Sequence, residues 1–291
     1  MIRIAQTRDN RVHAAVPAKV NLVLRVLGRR SDGYHDLQSL MCAVGLYDQM
    51  RFVFFSGSNM TIRCNHPDVP TDERNLVWKA ADRFYDAAGV RAGLQVEIDK
   101  QIPVGAGLGG GSGNAAAMLR VLNRYFGSPL AEEQLAAIAL SVGADVPFFL
   151  GRSPAWAEGV GEKLAPACGL PSAGVVLVNP GVVVSTRLIF ENLKLGLTTQ
   201  AKINTNTLLK EGLFGVLSND LEAVTERFFP VVGDVKTALR ASGAVSVGMS
   251  GSGPTVMGLF GDRSSAETAA NTLDRKPGWS VCVTELLIQK C

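Results

Sequence analysis

Cysteine and histidine are scarce in this sequence, which limits the disulfide and metal chemistry that it can support. The cysteines stand at positions 42, 64, 168, 282 and 291, and no Cys-x-x-Cys pair occurs. An odd count without that spacing argues against a disulfide framework and indicates a reducing compartment, for which we predict the cytoplasm. Cys64 and His66 lie close together, but no second pair accompanies them, so a structural zinc site is not expected.

Strong net charge and long apolar runs are also missing. The formal net charge is +3 over 291 residues, which is too small to indicate a nucleic-acid partner or a membrane surface. No stretch reaches the roughly 18 consecutive apolar residues of a spanning helix, and residues 1–10 lack the apolar segment of a secretory signal. We therefore predict a small-molecule partner, with no nucleic acid and no membrane. The composition does not address the oligomeric state.

Strand and helix patterns are intermixed along the chain without a regular βαβ repeat, which favours an α+β fold over a doubly wound sheet. Strands are predicted over 11–27, with a break near Pro17, and over 50–55, 59–64, 94–98, 175–178, 182–184, 244–249, 255–260 and 281–287. Helices are predicted over 76–87, 115–126, 129–142, 231–241 and 264–273, and in the later part of 193–210. A Pro- and Gly-rich stretch at 152–172 favours a boundary, with one domain over 1–162 and another over 163–291.

The most informative pattern is the run Pro103-Val-Gly-Ala-Gly-Leu-Gly-Gly-Gly-Ser-Gly-Asn114. Glycine has no Cβ, so such a run can turn sharply and lay backbone N–H groups against a bulky anion. A helix pattern follows at once, and its unpaired N–H groups and dipole present a positive end to the same point. Ser112 or Asn114 is expected to cap this helix. The segment therefore predicts a phosphate-binding loop.

Other glycine-rich signatures fit this run less well. A dinucleotide-binding G-x-G-x-x-G should follow its strand directly and have an acid about 20 residues on that closes a second strand. Here Pro103 intervenes, and the acids at that distance, Glu132 and Glu133, open a helix. A Walker A loop would need a lysine, and the H-R-D and D-F-G signatures of protein kinases are missing. A flexible linker is disfavoured by the amphipathic helix that follows.

Three segments in order resemble the motifs of the GHMP kinases, the galacto-, homoserine, mevalonate and phosphomevalonate kinases. Pro17-Ala-Lys-Val-Asn-Leu22 is similar to the first motif, the glycine run to the second, and Met249-Ser-Gly-Ser-Gly-Pro-Thr255 to the third. Gly28-Arg-Arg-Ser-Asp-Gly-Tyr-His35, Gly143-Ala-Asp-Val-Pro147 and Ala157-Glu-Gly-Val-Gly-Glu162 resemble a narrower branch that acts on a cytidylyl substrate.

The resemblance implies a two-domain α+β fold with the active site in the cleft between the domains, the N-terminal domain being the ATP-binding one. It also implies ATP-dependent phosphorylation of a hydroxyl of 4-diphosphocytidyl-2-C-methyl-D-erythritol, a step of non-mevalonate isoprenoid biosynthesis. A kinase for another small hydroxylated acceptor, of the homoserine or phosphomevalonate type, and a non-catalytic nucleotide sensor on the same fold are the alternatives.

The resemblance also assigns catalytic and nucleotide-binding residues. Asp145 would accept the proton of the attacking hydroxyl, and Lys19 would pair with it and stabilise charge on the transferring phosphoryl group. Judged without the family, Asp145 is a helix-end or turn acid and Lys19 an edge-strand lysine. The residues expected to wrap the ATP phosphates are Pro103, Val104, Gly105, Ala106, Gly107, Leu108, Gly109, Gly110, Gly111, Ser112, Gly113, Gly251, Ser252 and Gly253. The Ser112 hydroxyl would also ligate Mg²⁺, a hard cation that prefers oxygen.

Five further residues are expected to bind the acceptor on the same grounds. Tyr34 would stack on cytosine and His35 would hydrogen-bond its edge, with Phe190 on the opposite face of the ring. Asn21 lies two residues after Lys19, on the same face of a strand, and could bind substrate hydroxyls. Thr186 would contact the diphosphate or the diol.

Overall fold

The computed structural model describes residues 1–6, 11–193, 203 and 205–289, and the chain forms two compact units. One unit consists of Met1–Ala18, Leu46–Val104 and Gly109–Arg152, and the other of Lys19–Gly45, Gly105–Leu108 and Ser153–Cys291. The chain therefore passes between the units several times, and the glycine run contributes to both. The domain boundary expected after residue 162 stays a prediction.

The first unit contains strands that pair mainly antiparallel. Strand β1 (Arg3–Gln6) pairs antiparallel with the beginning of β2 (Arg11–Arg29). The second half of β3 (His35–Phe55) pairs antiparallel with β5 (Gly93–Asp99), which is parallel to β4 (Met60–Cys64). Apolar side chains alternate along these strands, so one face of them is buried in the core.

The described part of the first unit contains four helices: α1 (Leu76–Ala88), α2 (Gly110–Tyr125), α3 (Glu132–Val142) and α4 (Val146–Leu150). The Asn75 side chain caps α1 by accepting from the Val77 N–H. Helix α3 begins later than predicted, because Ser128 has a φ of 62° and does not continue into a helix. Ala131 instead precedes the first turn, and its N–H donates to the Gln134 side chain.

The second unit contains the remaining strands. Strand β6 (Ala155–Gly159) pairs with the first half of β3 and with β7 (Lys163–Pro166), and β9 (Ser218–Asn219) runs parallel to β2. A four-stranded antiparallel sheet has the order β10 (Ser246–Met249), β11 (Val256–Phe260), β8 (Gly174–Asn179), β12 (Ser280–Glu285).

The second unit also contains helices. They are α5 (Thr186–Glu191), α6 (Thr205–Val216), α7 (Glu222–Phe228), α8 (Val231–Ala241) and α9 (Arg263–Thr272). Helices α8 and α9 present apolar faces to the strands, so valine and leucine of the sheet pack with the buried residues of both helices.

The predicted α+β class is confirmed, and several details of the prediction are corrected. Strand β2 continues through Pro17, and residues 182–184 form no strand, since Val183 is 81% exposed and pairs with nothing. Sequence reasoning missed β1, β6, β7, β9, α4, α5, α7 and the first part of β3. Of the segment 193–210, residues 194–202 and 204 lie outside the described residues.

The argument against disulfides is corrected at one position. Cys42, Cys64 and Cys282 are free, but Cys168 is disulfide-bonded. An odd count excludes complete pairing and leaves a single bridge possible, which is why counting did not find it. Among the residues described, no helix has both the length and the apolar character of a membrane span.

Candidate active site

In the second unit, the glycine run packs tightly against the third predicted motif. The Lys19 N–H donates to the Leu108 carbonyl (2.9 Å), and the Ser250 Oγ donates to the Gly107 carbonyl (2.9 Å). Gly107 has a φ of +75°, and a Cβ there would lie 2.3 Å from the Ser250 carbonyl oxygen. Only glycine fits this close approach. Segments predicted to be three separate motifs therefore meet at this turn.

In the first unit, the run ends at the uncapped beginning of α2. Gly109 is the N-cap residue, in the left-handed conformation, and no side chain accepts from the first turn. The prediction that Ser112 or Asn114 caps this helix is wrong, because both lie inside α2. The early N–H groups consequently have no side-chain acceptor from a cap, and the positive end of the helix is suited to an external anion.

Lys19 is a buried strand residue whose ammonium group is held by its own strand. Its Nζ donates to Asn21 Oδ1 (2.7 Å), which confirms that the two side chains share a face. Asn21 Nδ2 donates to Ser39 Oγ (2.8 Å), and the Asn21 N–H donates to Ser250 Oγ (3.2 Å). Lys19 is 3% exposed, which does not suit a lysine that protects a sheet edge. A buried ammonium group next to the loop can stabilise negative charge there.

Asp145 occupies the N-cap position of α4 and is half-buried. Its carboxylate makes no capping hydrogen bond to that helix, so the helix-end explanation does not account for it. Val146 and Phe148, which follow it, are buried. The pairing of Asp145 with Lys19, and the placement of the active site between domains, stay predictions.

The glycine turn of the third motif contains a serine that contacts two threonines. Ser252 Oγ lies 2.8 Å from Thr186 Oγ1, and Thr225 Oγ1 donates to the Ser252 carbonyl (3.2 Å). Gly251 and Gly253 flank Ser252 in this buried turn. The structure therefore brings Thr186, predicted to bind the acceptor, to a residue predicted to bind phosphate.

The structure brings His35 and Phe190 together, with stacked rings whose centroids are 5.1 Å apart. Burial lowers the pKa of His35, and the nearby Arg29 charge lowers it further, so the imidazole is mostly neutral near pH 7. Tyr34 is 67% exposed, with its N–H bound to Asp32. One face of the Phe190 ring contacts His35 and Tyr34 lies at the surface, and the assignment of these rings to cytosine stays a prediction.

Sequence reasoning missed a buried ion pair that holds the start of the glycine run. Asp48, fully buried in β3, pairs with Lys100 and accepts from the Gln101 and Ile102 N–H groups (2.9 Å each). Lys100 Nζ also donates to Asn114 Oδ1 (3.3 Å). In the sequence, the signal for this ion pair was an acidic residue among apolar positions of a strand. This pair fixes the residues that lead into Pro103.

The donor set fits a nucleotide phosphate better than a protein-held metal cluster. Glycines with no room for a side chain and an uncapped helix provide N–H donors for an anion. Within the described ranges, no three His, Cys, Asp or Glu side chains lie together to hold a metal ion. A Mg²⁺ ion at this loop would therefore take most of its ligands from phosphate and water. Ser112, half-buried in the first turn of α2, is the side chain placed to add a hydroxyl.

Two family models match the chain. The model of the GHMP kinases N terminal domain matches residues 75–152, and that of the GHMP kinases C terminal domain matches residues 200–278. The first range contains the glycine run and Asp145, and the second contains the glycine turn of the third motif.

Relatives and solved structures extend this similarity over nearly the whole chain. The 4-diphosphocytidyl-2-C-methyl-D-erythritol kinase of Syntrophotalea carbinolica is 44% identical, over 92% of this chain and 96% of that protein. A crystal structure of 4-(cytidine 5'-diphospho)-2C-methyl-D-erythritol kinase is 35% identical, with a TM-score of 0.81 over 94% of this chain and 98% of that one. Homoserine kinase from Cytophaga hutchinsonii, at 18% identity, shares the fold, with a TM-score of 0.73 over 98% and 96% of the two chains.

Proposed function

The chain belongs to the GHMP kinase family, and on that premise we propose that it phosphorylates a hydroxyl of 4-diphosphocytidyl-2-C-methyl-D-erythritol with ATP. The relatives that carry this activity in their names cover most of the chain at 35% and 44% identity. The protein is accordingly a small-molecule kinase of non-mevalonate isoprenoid biosynthesis. We propose that it works in the cytoplasm.

One set of contacts in the structure supports the proposal most directly. The glycine turn at Gly107 contacts the third motif through Ser250, and the same serine binds the N–H of Asn21, two residues after the buried Lys19. A cradle of backbone donors beside a buried ammonium group is suited to a triphosphate.

We assign nucleotide binding to the glycine run and the glycine turn. The loop glycines would present backbone N–H groups to the phosphates, and the positive end of α2 would face the same charge. The Ser112 hydroxyl would help hold Mg²⁺, which when bound neutralises phosphate charge during the transfer. Gly251, Ser252 and Gly253 would form a second contact for phosphate.

Asp145 and Lys19 carry the proposed chemistry. Asp145 would accept the proton from the acceptor hydroxyl as the oxygen attacks phosphorus. Lys19 would stabilise the negative charge that spreads over the transferring group, at low cost because its position is already fixed by Asn21.

Acceptor recognition is assigned to the first motif strand and to the aromatic residues. The Asn21 side chain would bind hydroxyls of the acceptor. His35, held mostly neutral by burial, can both donate and accept one hydrogen bond at a pyrimidine edge. Phe190 would support the His35 ring, and the exposed Tyr34 would close over the base. Thr186 would contact the diphosphate.

The test is to incubate the protein with ATP-Mg²⁺ and a panel of acceptors and to follow ADP release. We expect release with 4-diphosphocytidyl-2-C-methyl-D-erythritol and not with homoserine or phosphomevalonate. Asp145→Asn should lower kcat by about 10²-fold or more, with ATP affinity little changed, because it removes only the proton acceptor. Turnover of another acceptor, or unchanged kcat in the variant, would contradict the respective assignment. ATP binding without any turnover would indicate a sensor.

A further inference from the structure

Asn219 lies outside every motif that the sequence analysis identified, yet its side chain makes several polar contacts within the second unit. It is carried by the short strand β9, in which Ser218 pairs with Val23 and Asn219 with Leu24 of β2. Strand β2 is the strand that carries Lys19 and Asn21. The backbone of Asn219 is therefore paired with β2 just after the first motif.

The Asn219 side chain binds the third motif with its whole amide group. Its Nδ2 donates to the carbonyls of Met249 and Gly251 (2.8 Å each), and its Oδ1 accepts from the Leu221 N–H (2.9 Å). Two carbonyls on one side and an N–H on the other allow only one orientation of the amide. No other side chain of this shape offers two N–H donors on one side and an acceptor oxygen on the other.

The two carbonyls stand on either side of Ser250. Ser250 is 0% exposed, its hydroxyl donates to the Gly107 carbonyl, and it accepts from the Asn21 N–H. Its backbone N–H is already bound to the Thr255 carbonyl (3.0 Å). Asn219 thus binds the carbonyls on both sides of Ser250, and the Ser250 hydroxyl in turn binds the glycine turn at Gly107.

We propose that Asn219 is a positioning residue for phosphoryl transfer, acting through Ser250 on the glycine run. This inference rests on the proposed kinase function and deepens it, because Asn219 itself contacts neither nucleotide nor acceptor in the proposed scheme. Its amide orders the third motif, and the third motif orders the backbone donors that would bind phosphate. Errors of about 1 Å in such groups reduce rates by about 10²-fold.

The test compares two isosteric exchanges at neighbouring positions. Asn219→Asp replaces the amide nitrogen, which makes both donated hydrogen bonds, with one carboxylate oxygen that faces the Met249 and Gly251 carbonyl oxygens, so the contact with the third motif becomes repulsive. Asp220→Asn is the matched control, since the Asp220 carboxylate binds the Val26 N–H (2.9 Å) and Arg25 (3.3 Å) and does not touch the glycine turn. Asn219→Ser, which can keep one donor, is the second variant if Asn219→Asp does not fold.

Three measurements on the full chain separate positioning from general stability. Hydrogen exchange without ligand should become several-fold faster in peptides covering 105–109 and 249–255 in Asn219→Asp, and not in Asp220→Asn. The Kd for ATP-Mg²⁺, by calorimetry, should rise about tenfold, and kcat should fall by about 10²-fold. Burial against two carbonyl oxygens should raise the pKa of the introduced carboxyl. Lowering the pH toward 5 then protonates part of it and returns one donor, so the ratio of variant to wild-type Kd should fall toward one.

The proposal is overturned if Asn219→Asp only lowers the melting temperature while exchange at the two glycine segments and the Kd for ATP match the wild type. It is also overturned if Asp220→Asn loosens both segments equally. These results do not depend on the acceptor. If the wild type binds ATP but phosphorylates none of the panel, the proposed function fails while exchange and ATP binding still decide the role of Asn219.

Discussion

Replacing Gly107 with alanine is the sharpest perturbation that the site offers. Gly107 has a φ of +75°, and an added Cβ would lie 2.3 Å from the Ser250 carbonyl oxygen and 3.1 Å from that of Gly253. Both neighbours are backbone atoms of a buried turn, so neither can rotate away as a flexible side chain would. The glycine run itself has to move.

The size of the movement follows from these distances. A carbon–oxygen contact needs about 3.3 Å, so the turn must shift by about 1 Å to admit the methyl group. A misplacement of that size costs about 10²-fold in rate when it affects groups that position the reacting phosphate. The left-handed conformation adds about 1–2 kcal/mol of strain for any residue with a Cβ.

A matched variant separates the clash from the strain. Gly105→Ala has the same kind of strain, at a φ of +66°, but a Cβ there meets no atom within 4 Å. Gly107→Ala should therefore lower kcat/KM for ATP by about 10²-fold and weaken ATP binding. Gly105→Ala should lower kcat/KM by only about tenfold. Steady-state kinetics measure kcat/KM, calorimetry measures ATP binding, and thermal melting measures the stability lost to backbone strain. Equal losses in both variants, or unchanged ATP binding in Gly107→Ala, would refute the close packing as the cause.

Two further predictions concern titration and stability. Because burial lowers the pKa of His35 below its usual value of about 6.5, the stability of the protein should fall as the pH drops below about 6.5. Phe190→Ala exposes the His35 ring, so the pKa of His35 in an NMR titration should rise, and the loss of stability at low pH should shrink in thermal melts. A pKa that stays low would contradict the stacking contact. Asp48→Ala should cost about 3–5 kcal/mol in urea unfolding, because it leaves Lys100 buried without its carboxylate. The control Glu97→Gln, which breaks a half-exposed ion pair, should cost at most about 1 kcal/mol.

Much of the fold could be predicted because it depends on local patterns. The amphipathic spacing of Leu76, Ala80 and Phe84 predicts α1, and the glycine-flanked apolar runs predict β10 and β11. The elements that were missed are short or polar, such as β7 and α7, where pattern carries little information and pairing partners decide the structure.

The candidate site likewise contains residues that local patterns predict and residues that they do not. The glycine run, Lys19 and Asp145 could be identified because unusual residues stand in recognisable spacing. The partners that hold them could not. Ser250 lies in a glycine turn that resembles an ordinary hairpin connection, and Asn219 lies in a segment with no motif at all. Their importance depends on contacts across long stretches of sequence, which no local pattern encodes.

By itself, the amino-acid sequence determined the class of fold and the presence of a glycine run directly before a helix, and it predicted phosphate binding there. These follow from spacing and from the missing Cβ of glycine, which act over a few residues. The tertiary structure alone decided that Gly109 and not a polar side chain begins α2, that His35 stacks on Phe190, and that one serine joins three motifs. Such choices depend on which distant backbone groups lie within hydrogen-bond reach, and only folding brings those groups together.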